Sequence, residues 1–168
     1  QPADADDLRR LLALALETGG PWVIRYPRGT APAGEDRGEG TIALGAARPL
    51  CGEEAKVQIW ALGDQVPKAL EVRRRLAGRG VTAGVVDARF VKPFDAALLA
   101  RQRAAGAFIV SLENGSVAGG FGEALGADLR LGWPDVFIGH GAVAELERRH
   151  GFDAAALAAR IASRHLTT

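Results

Sequence analysis

Arg25, Arg28 and Arg89 are the residues with most to offer chemically. Each falls at the carboxyl end of a stretch that reads as a strand, where a guanidinium can clamp a phosphate through two parallel N–H donors. Singly, each reads as a surface or salt-bridged arginine. As a pair at two strand ends, Arg25 and Arg89 can converge on one dianion, and no other spacing in the chain points to chemistry as sharply. Gly115–Gly122, Gly-Ser-Val-Ala-Gly-Gly-Phe-Gly between a strand and a helix, offers backbone N–H groups to a second anion. It lacks both the Gly-Lys-Ser/Thr ending and the G-x-G-x-x-G register, so it reads as a tight turn in which Gly119, Gly120 and Gly122 permit positive φ and close helix packing. His140, His150 and His165 are not spaced as metal ligands, and no metal is expected. Glu113-Asn114 closes a strand and reads as a capping or turn pair. Cys51 stands alone, which excludes a disulfide framework and leaves a small buried thiol.

The elements that must carry these residues follow from periodicity and punctuation. Leu8, Leu11, Leu12 and Ala15 recur at three and four behind the caps Asp4 and Asp6, giving a helix over 4–18 that closes at Gly19-Gly20. Pro21–Ile24 reads as a short buried strand, and the Gly, Pro and charge-rich stretch at 30–40 as a linker. Then come an extended piece at 42–50, a strand at 55–62, a helix at 66–79 and a strand at 81–87. A helix capped by Asp95 over about 95–105, a strand at 107–113 and a short helix near 120–128 come next. Two last helices, near 141–150 and 153–165, meet at Gly151 and the cap Asp153. Val- and Ile-rich strands alternating with helices argue for a three-layer α/β/α fold with a mostly parallel sheet. In such a sheet the loops at the carboxyl ends carry ligands: 25–29, 63–65, 87–93 and 113–122.

Composition narrows the class. The 168 residues are 48% hydrophobic and 24% charged, so a packed core can form. The net charge is +1, with Arg73-Arg74-Arg75 the one short basic run, read as a solvated helix face. There is no nucleic-acid footprint and no apolar stretch of the roughly 20 residues a membrane span needs. Asp4, Asp6 and Asp7 crowd the start, where neither a secretory signal nor a transit peptide reads, and a cytoplasmic setting fits. The opening residue is Gln1 rather than Met, which reads as a processed chain or a piece of a longer one.

Four segments in order carry a resemblance. They are Gly20-Pro21…Ile24-Arg25-Tyr26-Pro27-Arg28-Gly29, Asp87-Ala88-Arg89-Phe90-Val91-Lys92-Pro93, Glu113-Asn114…Gly119-Gly120-Phe121-Gly122 and Gly132-Trp133-Pro134-Asp135…His140-Gly141. Together they resemble the C-terminal third of the 1-deoxy-D-xylulose-5-phosphate synthases, a family of transketolase-type transferases, over nearly the whole chain. The resemblance implies an enzyme of three α/β domains, cytoplasmic and homodimeric, that condenses pyruvate with glyceraldehyde 3-phosphate on thiamine diphosphate and Mg²⁺ and releases CO₂. It implies that residues 1–29 end a central, pyrimidine-binding domain and that 41–168 form the C-terminal domain. It also assigns the phosphate of the aldehyde acceptor to Arg25 and Arg89 and a structural role to Arg28.

Only Glu123–Leu131 separates the Gly-rich helix from the Gly-x-Pro-Asp turn, shorter than the family's usual passage, so either the helix or the last strand is trimmed. No G-D-G…N motif for Mg²⁺ and diphosphate occurs, and the glutamate that activates the cofactor ring belongs to a part of the family outside these residues. The chain alone is therefore expected to bind no cofactor and to be inactive, needing domains from the same polypeptide or a partner chain. The apolar stripe of the first helix is expected to face those domains. The competing readings are the C-terminal domain of a transketolase or of a two-oxo-acid dehydrogenase beta subunit, and a non-catalytic dimerisation domain of the same fold.

Overall fold

The computed structural model describes residues 1–32 and 42–165; most of the 30–40 linker lies outside them. Helix α1 (Ala5–Thr18) comes first, followed by β1 (Arg48–Cys51), β2 (Val57–Ala61), α2 (Val66–Ala77), β3 (Ala83–Asp87) and α3 (Ala96–Ala104). The remaining elements are β4 (Phe108–Ser116), α4 (Phe121–Ala124), β5 (Leu129–Trp133), α5 (Val143–Arg149) and α6 (Ala154–His165). The strands lie in the order β1-β3-β2-β4-β5, parallel throughout except for β1, which runs antiparallel to β3 at the edge. This is the expected three-layer α/β/α arrangement with a mostly parallel sheet. Among the described residues, no helix is long and apolar enough to cross a membrane.

Strands β2 and β3 are buried at every position, as strands covered on both faces must be. Alternation along each strand sorts the side chains into two layers. Val57, Ile59, Ala61, Val85 and Val110 pack with Val72 and Leu76 of α2 and Leu157 and Ile161 of α6. Trp60, Val86 and Ile109 pack with Leu98 and Leu99 of α3 and Phe121 of α4. Inside the second layer the Trp60 indole donates to Gln102 Oε1 at 2.7 Å, and Gln102 donates to Gln58 Oε1 at 3.2 Å.

Asp4 caps α1 through the Asp7 N–H at 2.9 Å, and Asp95 caps α3 through the Leu98 N–H at 2.8 Å, both as the sequence predicts, whereas Asp6, also read as a cap, lies inside the first turn of α1. The apolar stripe of α1 departs from expectation. Leu11 is 2% exposed and packs with Ile42 and Phe90 of the C-terminal part, whereas Leu12 and Leu16 are exposed. The helix is thus fastened to residues 42–165 along one line of contact and bare along the next.

Residues 21–24, read as a buried strand, belong to no strand. Trp22 and Ile24 lean on the Leu11–Ile42–Phe90 cluster while Val23 is exposed. A strand needs a neighbour's backbone donors and acceptors, and no described residue pairs with this segment. The extended piece at 42–50 becomes a strand only from Arg48. The short passage at 123–131 has a simple resolution: α4 is reduced to one turn and β5 is kept.

Candidate functional site

The carboxyl ends of β2, β3 and β4 share one edge of the sheet, and the strand order reverses between β2 and β4, where open α/β sheets bind ligands. Asn114, near the end of β4, gathers that edge. Its side-chain amide donates to Asp64 Oδ2 at 2.7 Å, and its Oδ1 accepts the Trp133 indole N–H at 2.9 Å. Its backbone carbonyl accepts the Arg25 guanidinium. Gln1 donates to the other oxygen of Asp64 at 3.2 Å.

Arg89, two residues beyond β3, has φ +56, and the Phe90 N–H donates back to the Ala88 carbonyl, closing a three-residue turn around it. A non-glycine residue in that region costs on the order of 1–3 kcal/mol and persists only where its surroundings over-determine it. A buried cluster of charges does so here. Arg89 Nη2 donates to Asp7 Oδ1 at 3.3 Å and its Nε lies 3.7 Å from Asp87 Oδ2, with the arginine side chain 9% exposed and both acids fully buried. Asp87 also takes Arg48 Nη2 at 3.2 Å and accepts the Arg89 backbone N–H at 3.3 Å. Burial pushes the Asp87 carboxyl up to about 7; the Asp7 charge adds to the push, and Arg89 and Arg48 oppose it.

Arg25 and the loop that follows Arg89 line one cleft of about 680 Å³. Its walls include Leu11, Trp22, Ile24, Leu44 and Phe90; among the described residues its cationic side chains are Arg25 and Lys92, and no acidic residue lines it. Arg25 is exposed at this cleft, whereas Arg89 turns its guanidinium to Asp7 and Asp87. Arg28 is exposed and borders a different hollow, with Asp4 and Asp64.

The Gly-rich turn offers no free cradle. The N–H groups of Phe121 and Gly122 donate to the Glu113 carboxylate at 2.8 and 2.9 Å, and that of Gly119 to Glu123 at 3.1 Å. A Cβ at Gly120 would sit 2.6 Å from the same Glu113 carboxylate, so the residue is glycine for close approach. Glu113 therefore caps the turn, as the sequence predicts, while Asn114 ties three loops. Cys51 is half-buried on β1 rather than enclosed. His140 is exposed, His150 stands edge-on to Trp133 at 5.9 Å, and His165 lies beside Phe108 at 6.1 Å.

The donor set does not fit thiamine diphosphate with Mg²⁺. Among the described residues, no three His, Cys, Asp or Glu are grouped to hold a metal, and the carboxylate of Asp64 is engaged by Gln1 and Asn114. Sequence reasoning also passed over Asp7, Asp64, Asp87 and Lys92 as site residues. Two of them carried a readable signal: Asp7 lies one helical turn before Leu11 on the inward stripe, and Asp87 ends a wholly apolar strand.

Residues 45–157 match the family described as transketolase, C-terminal domain. Across 95% of its length the chain is 38% identical to a 1-deoxy-D-xylulose-5-phosphate synthase of Chlorobium phaeovibrioides, and across 96% it is 38% identical to one of Acidobacterium capsulatum. It spans 27% of the length of each of these relatives. A solved structure described as a split gene transketolase, inactive beta4 tetramer, matches 96% of this chain and 55% of its own, with a TM-score of 0.84 at 31% identity. The transketolase of Campylobacter jejuni shares the fold over 71% of this chain and 18% of its own, with a TM-score of 0.59 at 24% identity. By sequence and by sheet topology alike, the chain belongs to the transketolase C-terminal domain family.

Proposed function

We propose that this chain is the acceptor-phosphate end of a 1-deoxy-D-xylulose-5-phosphate synthase, which joins pyruvate to glyceraldehyde 3-phosphate with release of CO₂. The observation that carries the reading is the 38% identity across 95% of the chain. In this reading residues 1–29 end the central domain and 41–168 form the C-terminal one, so Leu11 against Phe90 and Asp7 against Arg89 are contacts between domains. Arg25 and Arg89 take the acceptor phosphate. Arg25 does so from the open side of the cleft, and Arg89 by exchanging a carboxylate partner for a phosphate oxygen; its unfavourable φ supports a functional placement. Thiamine diphosphate and Mg²⁺ are held by domains outside these residues, and without them the chain is inactive.

The domains belong either to the same polypeptide, in a homodimer, or to a partner chain. The likeness to a split gene transketolase supports the partner-chain arrangement. The test combines the chain with the domains that precede it in a relative and compares glyceraldehyde 3-phosphate with unphosphorylated glyceraldehyde. Product is expected only from the combination, with kcat/KM at least about tenfold higher for the phosphorylated acceptor. Equal use of the two aldehydes contradicts the proposal.

A further inference from the structure

We infer that Lys92 is the second open cation of the Arg25 cleft, acting with Arg25 on a phosphate monoester; the inference rests on the acceptor-phosphate reading above. Among the described residues the cleft is one-signed: Arg25 and Lys92 are its cationic side chains and no carboxylate lines it. A low-dielectric wall around unopposed positive charge raises the local concentration of anions. Arg89 adds little to that field, because Asp7 and Asp87 neutralise its buried guanidinium.

The position of Lys92 is built. Phe90, two residues before it, is 5% exposed between Leu11 and Ile42. Pro93, immediately after it, is seated on Gly45, where φ is +79 and a Cβ would stand 3.2 Å from the proline ring. Between these anchors Lys92 is exposed. The opposite wall is fastened to the same aromatic ring: Trp22 meets Phe90 edge-on at 6.4 Å and leads into Arg25, whose guanidinium rests on the Asn114 carbonyl. Arg25 and Lys92 are therefore mounted on two sides of one packed contact. The arginine supplies a planar fork with direction, and the lysine a compact charge with three donors that adapts to whichever oxygens remain.

The test titrates the 168-residue chain at low ionic strength with inorganic phosphate and with glyceraldehyde 3-phosphate, followed by backbone amide NMR. Both anions are expected to shift the amides of 22–25 and 90–93. Lys92→Gln weakens binding about tenfold, and Lys92→Arg stays within about threefold of wild type. Arg74→Gln, which removes the same charge from the exposed face of α2, leaves affinity unchanged. Wild-type affinity in Lys92→Gln together with loss in Arg25→Gln overturns the role of Lys92 and leaves the acceptor-phosphate reading standing. Failure of the wild-type chain to bind either anion overturns both, and equal losses in Lys92→Gln and Arg74→Gln overturn a local site.

Discussion

Arg89, in the loop after β3, and Asp7, in the first turn of α1, meet at 3.3 Å with the arginine 9% exposed and the aspartate fully buried. The contact bridges 82 residues of sequence and ties the N-terminal helix to the sheet domain. Buried pairs of this kind add little net stability over an apolar contact, yet removing one member is costly because the other is left charged and dry.

Arg89→Ala therefore removes the cation that Asp7 and Asp87 share, leaving Asp87 with Arg48, and should destabilise the chain by about 3 kcal/mol. Denaturant unfolding at pH 7 measures it. A double-mutant cycle with Asp7→Asn should return a coupling of at least about 1 kcal/mol, and hydrogen exchange in α1 should quicken in either single variant. Additive effects would place the two residues in separate roles.

Asp87 gives the fold a pH slope of definite sign. Its carboxyl is raised from 3.8 to about 7 in the folded chain, so between those values the folded state keeps a proton that the unfolded chain has released. The stabilisation is complete below about pH 4 and is lost as pH rises through about 7, by at most about 1.4 kcal/mol per pH unit. Asp87→Asn should flatten that slope. Thermal unfolding of both proteins from pH 4.5 to 8 reads the difference, and parallel curves would contradict it.

Much of this architecture was legible in advance, for physical reasons. The helix at Ala5–Thr18, the capped helix after Asp95 and the buried strands β2 and β3 each announced themselves by period, cap or apolar run. What periodicity does not carry is partnership. Residues 21–24 have strand composition but no ladder, and Arg25 and Arg89 look alike in sequence although one is exposed and the other enclosed by acids. Whether an arginine is open or neutralised depends on residues such as Asp7, 82 positions away.

The fastening of α1 is testable by truncation. Leu11→Ala opens a cavity between Ile42 and Phe90 and should cost 2–5 kcal/mol or thereabouts, whereas Leu16→Ala, at a side chain 78% exposed, should stay within about 0.5 kcal/mol. Chemical denaturation of the two variants separates them. Equal, small effects would mean that the helix is not docked in solution.

Glu113→Gln replaces one acceptor oxygen by a donor facing the N–H groups of Phe121 and Gly122. The expected loss is about 1–3 kcal/mol, with faster exchange at those two amides. Unchanged exchange would remove Glu113 as the cap of α4.

The central claim is that Arg25 holds the phosphate of the acceptor, and the KM for glyceraldehyde 3-phosphate in the assembled enzyme tests it most directly. Arg25→Ala should raise that KM by about 10- to 150-fold, the equivalent of one charge-assisted contact, with the KM for pyruvate within about twofold of wild type. Arg25→Lys should recover only part of the loss, since a point charge lacks the planar fork. An unchanged KM for glyceraldehyde 3-phosphate in Arg25→Ala, or an equal rise in the KM for pyruvate, would contradict the account.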